Sequence, residues 1–142
     1  MTSPPAVGPK FKIVSWSCPS SVQLGQKARF SASVQNVGDA TGDMRFWFRN
    51  EASSPGYVTV IDSSTNYPWF TLNPGAESSA LAWVGVEPGG VRSCDFDIDF
   101  SKTGSFSLTF SVGHDTTKDD SVSFGCPEGE EAQREAERYA SM

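Results

Sequence analysis

From Phe11 to Cys126 the chain alternates apolar and polar positions in short runs. Ala28, Phe30, Ala32 and Val34 interleave with Arg29, Ser31, Ser33 and Gln35. Met44, Phe46 and Phe48 interleave with Arg45, Trp47 and Arg49, and Cys94, Phe96, Ile98 and Phe100 with Asp95, Asp97 and Asp99. Phe106, Leu108, Phe110 and Val112 repeat the pattern against Ser105, Ser107, Thr109 and Ser111. A period of two with one apolar face is the signature of half-buried antiparallel strands. Turn formers separate the runs: Gly38-Asp39, Ser54-Pro55-Gly56, Asn73-Pro74-Gly75, Glu87-Pro88-Gly89-Gly90 and Lys102-Thr103-Gly104. Eight strands are predicted, near 11–18, 27–36, 43–50, 56–62, 78–86, 91–100, 104–113 and 119–126. Such spacing describes an all-β sandwich. The stretch 63–72 carries no clear period, and Trp69, Phe70 and Leu72 are expected to cover one end of the core.

The ends differ from this body. Residues 1–10, with prolines at 4, 5 and 9, read as an extended linker. Residues 127–142 turn to helix formers, with Glu130 and Arg134 at i,i+4, and predict a short, charged, helical tail. The domain is therefore expected over 11–126. No charged start followed by an apolar stretch marks a leader, so a secreted origin would require an already processed chain. No apolar run approaches the ~20 residues of a membrane helix, and no membrane insertion is expected.

With 37% hydrophobic and 12% aromatic residues, the 142-residue chain has enough apolar side chains for one sizeable core. Its net charge of −6 is the opposite of a nucleic-acid footprint, so no nucleic-acid partner is expected. The three cysteines, Cys18, Cys94 and Cys126, lack zinc-ligand spacing. Cys18 and Cys126 each close a strand-like run before a proline. Two readings stay open for them: reduced thiols, or a Cys18–Cys126 disulfide in an oxidising compartment. The disulfide requires the first and last strands to lie side by side in parallel. It would close a loop of roughly a hundred residues, worth ~4–5 kcal/mol.

The segment Val22-Gln23-Leu24-Gly25-Gln26-Lys27, followed by Phe30-Ser31-Ala32-Ser33-Val34-Gln35-Asn36-Val37-Gly38, resembles the opening of CARDB domains, a bacterial and archaeal group of immunoglobulin-like modules. NEW3-type domains attached to glycosidases are similar. The likeness continues through Phe46-Trp47-Phe48, the Pro-Gly turns and Gly104-Ser105-Phe106-Ser107-Leu108-Thr109-Phe110, and so covers roughly 11–125. This resemblance implies an immunoglobulin-like antiparallel β-sandwich and a non-catalytic module, often extracellular, that spaces or presents other parts. Two Pro-Gly turns stand where one belongs, which predicts an extra strand or hairpin between 63 and 90. The resemblance carries over no ligand-binding residue.

The remaining chemistry is sparse. His114, beside Asp115, is the only histidine; Gly-x-Ser-x-Gly is absent, and no enzyme is expected. Asp95, Asp97 and Asp99 repeat every ~7 Å along one strand face, as a solvated row or as partners of Arg45 and Arg49. Asp115, Asp119 and Asp120 crowd one loop, as a candidate calcium site or as a polar hairpin whose acids solubilise its tip, and no other cofactor is expected. Arg45, Trp47 and Arg49 share a strand face and form the candidate binding surface, with an outward indole between two cations; the alternative is a ring covered by a cation–π contact or buried under the extra hairpin. The function expected is a structural or protein-interaction module of the adhesion or assembly type, in an exported or surface protein, with a protein partner or neighbouring domains. The alternative is a carbohydrate-binding accessory module using exposed aromatics, with Tyr57, Tyr67 and Trp69 extending the Trp47 patch.

Overall fold

A computed structural model describes residues 8–19, 26–51, 56–101 and 104–128, with the backbone alone for 104–105 and 126–128. Nine strands occur among the described residues: β1 Phe11–Ser17, β2 Ala28–Asn36, β3 Gly42–Asn50, β4 Val58–Asp62, β5 Pro68–Leu72, β6 Glu77–Val86, β7 Val91–Phe100, β8 Gly104–His114 and β9 Thr117–Glu128. They form two antiparallel sheets with strand orders β1-β2-β7-β4-β5 and β6-β3-β8-β9. All eight predicted strands are present, within about two residues at each end. The unassigned stretch contributes β5, the extra strand that the second Pro-Gly turn foreshadowed.

The sheets close on a phenylalanine core. Of the apolar positions in the alternating runs, Phe30, Ala32, Val34, Phe46, Phe48, Phe96, Ile98, Phe106, Leu108 and Phe110 form its centre, and each is buried. The Phe30 ring lies 4.6 Å from Phe124, 4.9 Å from Phe110 and 5.8 Å from Phe48. Phe46 joins Phe96 at 4.9 Å and Trp69 at 5.6 Å. Leu72 is fully buried, and Trp69 and Phe70 pack against the core from its flank.

The Asn36-Val37-Gly38 segment acts as a structural knot. Asn36 is fully buried; its Nδ2 donates to the carbonyls of Ala40 and Val86, and its Oδ1 accepts from the amides of Lys10 and Gly38. Gly38 has to lack a Cβ, which would strike the Gly8 carbonyl and the Pro9-Lys10 peptide. The described end of the expected linker is therefore not a free tether. Gly8 donates to the Asp39 carboxylate at 2.8 Å, and Val37 to the Lys10 carbonyl at 2.7 Å. At the other end, β9 runs through Glu128, so the domain passes the expected boundary by two residues. The helical tail falls on 129–142, outside the described residues.

Candidate functional site

The expected binding surface is dismantled by its own sheet. Trp47 does point away from the core, but its residue is only 8% exposed. On β3 it lies between Ser79 of β6 and Ser111 of β8, small neighbours that let the indole lie flat. Lys118 Nζ caps the ring at 5.9 Å and is held by Glu77 at 2.6 Å. Arg45 donates to the Ser79 hydroxyl, and Arg49 pairs with Glu51 at 3.1 Å. Trp47 is thus covered by the chain itself and offers no stacking platform.

Two acids of the candidate calcium site, Asp119 and Asp120, bond to β1. The β8–β9 ladder slips between Val112 and Gly113, which leaves Asp119 as the extra residue of a bulge. Gly113 permits the slip, because a Cβ there would strike the Thr117 carbonyl. The bulge turns two successive carboxylates towards β1. Asp119 Oδ2 accepts from the Phe11 amide at 3.0 Å and sits 2.8 Å from His114 Nδ1; Asp120 Oδ2 accepts from the Ile13 amide at 2.8 Å. Asp115 has positive φ in the turn and joins neither bond set. Among the described residues no three metal-ligating side chains come together. His114 is a half-buried partner of Asp119.

These bonds, with Trp16 against Phe124 at 5.9 Å, show β1 and β9 running in parallel along one flank of the sandwich. The proposed Cys18–Cys126 pairing depends on the Cys126 side chain, which lies outside the described residues. Asp97 pairs with Arg29 at 2.7 Å on the adjoining β2, not with Arg45 or Arg49, which belong to the other sheet.

The opposite flank is open, and sequence reading did not single it out. β4 follows β7 only from Val58↔Phe100 to Asp62↔Phe96. Beyond that point β7 continues to Val91 with no strand on this side. Into the gap opens a cleft of about 280 Å³, floored by Phe46, Cys94 and Phe96 and flanked by Trp69 of β5 and Trp83 of β6. Its polar lining includes Asp62 and Asp95 and contains no lysine or arginine. Trp83 spans the flank, its Nε1 donating to the Ser93 carbonyl at 3.1 Å and its ring facing the Arg92 guanidinium at 5.8 Å. Arg92 is in turn held by Glu87 at 3.0 Å.

Asp62 is kept ionised. The Ser64 hydroxyl, at 2.7 Å, is the main cause; partial burial opposes it, and the Ser64 and Thr65 amides and then the Trp69 indole add to it, so the carboxyl titrates below its ordinary value. Trp69 Nε1 is sealed from solvent and makes no hydrogen bond among the described residues. Its dipole therefore acts on the Asp62 charge without formal bonding geometry. Cys94, only 4% exposed, has its thiol pushed up to about 12, first by burial, then by the Asp95 charge, with Trp83 pulling slightly the other way. A thiol that stays protonated is a poor nucleophile. Iodoacetamide at pH 8 should therefore leave Cys94 unmodified in the native chain and label it in denaturant, as read by peptide mass spectrometry; equal labelling in both states would contradict this burial.

No family model matches the sequence, and no curated protein matches it. Solved structures do resemble the chain. The CARDB domain of a Pyrococcus furiosus protein, in complex with di-metal ions, superposes with a TM-score of 0.53 at 12% identity, over 85% of this chain and 94% of that one. A β-glucosidase from Listeria innocua, in complex with gluconolactone, gives 0.50 at 14% identity; 85% of this chain covers only 16% of the enzyme. At such identities the likeness shows the fold: an immunoglobulin-like sandwich of the CARDB kind.

Proposed function

We propose that the chain is a non-catalytic interaction module of an exported or surface assembly, and that it works by pairing its β6 edge with an extended segment of a partner or neighbouring domain. The observation that carries this reading is the unequal protection of the four sheet edges. β1 is bulged and has its outer amides capped by Asp119 and Asp120. β5 is five residues long and starts with Pro68. β9 carries its own bulge, a run of charges and Pro127. These are the usual devices against edge-to-edge pairing.

β6 is bulged too, its ladder with β3 slipping at Ala82 and again at Val84-Gly85, but Ser78–Val86 holds no charge and no proline, and Ser78–Leu81 is in regular register. Leu81 and Trp83 are each 41% exposed there and Val84 is 69% exposed. The regular, uncharged part of this edge is a template for strand addition, in which backbone bonds supply affinity and alternate side chains supply specificity. The CARDB-like fold agrees with a spacing or presenting role. The test is site-specific photo-crosslinking in cells that express the chain. A crosslinker at Val84 should give a discrete adduct, suppressed by Leu81→Lys, while the same group at Ser123 on β9 gives none. Equal adducts from both positions, or none from Val84, would overturn the edge reading.

A further inference from the structure

The cleft beside β6 has a composition that selects for charge. Its walls are aromatic, its two charged groups are both carboxylates, and among the described residues its lining holds no lysine or arginine. Asp62 is held as an anion by its Asx turn, and Asp95 of β7 also lines the cleft, its backbone carbonyl accepting from the Ser63 amide of the same turn. A polyhydroxylated ligand needs donors as well as acceptors. Of the two indole N–H groups here, Trp83 is already spent on Ser93 and Trp69 is sealed off. The serine hydroxyls and the weak Cys94 S–H remain as donors, whereas an organic cation needs only acceptors and ring faces. Arg92 over Trp83 shows that a guanidinium already settles on one of these indoles. The chain's net charge of −6 favours the approach of such a ligand.

We propose that this cleft receives the basic side chain, arginine or lysine, of the segment that pairs with β6. This rests on the edge reading for the identity of the partner, though not for the chemistry of the cleft. The cationic head sits between Asp62 and Asp95, and its aliphatic stem lies along Trp69 and Phe46, an arrangement in which a long basic side chain buries its stem and keeps its charge paired. Strand pairing then supplies affinity without sequence preference, and the cleft adds selection for one basic position in the partner. The gap in the sheet where β4 stops short of β7 provides the room.

The probe is N-acetyl-arginine amide, titrated into the intact chain and followed by indole N–H resonances. A saturable shift at Trp69 or Trp83 is expected. The citrulline analogue, the same shape without charge, should bind about tenfold more weakly or worse, and raising the salt should weaken the arginine probe. Asp62→Asn retains the acceptor of the Asx turn, so it should fold normally and still lose about tenfold in affinity. Leu81→Lys, which disables edge pairing, should leave the small probe's binding unchanged, so the cleft and the edge fail separately. Equal binding of citrulline, no shift with either the arginine or the lysine amide, or a shift produced by glucose or N-acetylglucosamine while the amides are silent would each overturn the proposal.

Discussion

Replacing Asn36 with Ala is expected to cost about 4 kcal/mol of folding stability, because one small, fully buried side chain satisfies four backbone groups. Its amide holds the Ala40 and Val86 carbonyls, and its carbonyl holds the Lys10 and Gly38 amides. Each buried group left unpaired costs roughly 1–3 kcal/mol, moderated where the exposed turn recovers water. The bonds reach three separate parts of the chain, the lead-in to β1, the β2–β3 turn and the end of β6. Loss should therefore appear as a lower urea midpoint and as faster amide exchange at all three. Asn36→Asp keeps the acceptor and loses the donors, so it should fall between the two. A loss below about 1 kcal/mol would mean that these bonds are replaceable. The result also bears on the fold resemblance: the Asn and Gly of its opening motif serve architecture here, which is why the motif reveals the fold and not a ligand.

Phe30→Ala should destabilise the chain by a similar amount, roughly 3–5 kcal/mol, through a different mechanism. The ring is fully buried and meets Phe48 and Phe110 from the facing sheet, Phe124 of β9 and Trp16 of β1. Rings held in both sheets by their strands cannot collapse together, so deletion leaves a cavity in addition to the lost apolar burial. Phe30→Leu refills much of it and should cost about 1.5 kcal/mol or less. Chemical denaturation of both variants checks this; equal losses would show that aromatic shape, not volume, governs the site. Neither variant touches the cleft directly, so probe binding measured where the chain is still folded should be retained.

The strands were legible because the information is local. Alternation of Phe46 and Phe48 with Trp47, or of Phe96 and Ile98 with Asp97, is written in adjacent residues, and a half-buried strand has no other way to place them. The same rule put Trp47 on the outer face and was right about the face. It left exposure open, since what covers an outer face comes from neighbouring strands: serines at 79 and 111, and a lysine at 118 anchored by Glu77 that caps the ring. Asp119 and Asp120 looked like cation ligands by composition. A one-residue slip in the β8–β9 register made them caps for β1, and nothing in their own sequence neighbourhood announces that slip.

The open flank lies further still from sequence reading. Asp62, Trp69, Trp83 and Asp95 come from four strands, and they meet only because β4 ends one stretch early beside β7. What the amino-acid sequence determined by itself is the all-β architecture, the phenylalanine core and the turns, since each follows from a period or a backbone preference within a few residues. What only the tertiary structure decided is which outward residues stay outward, which acids find a partner and where the sandwich stays open. Those outcomes depend on strand register and strand length across the sheet, and burial and electrostatics act over distances of space that sequence separation does not measure.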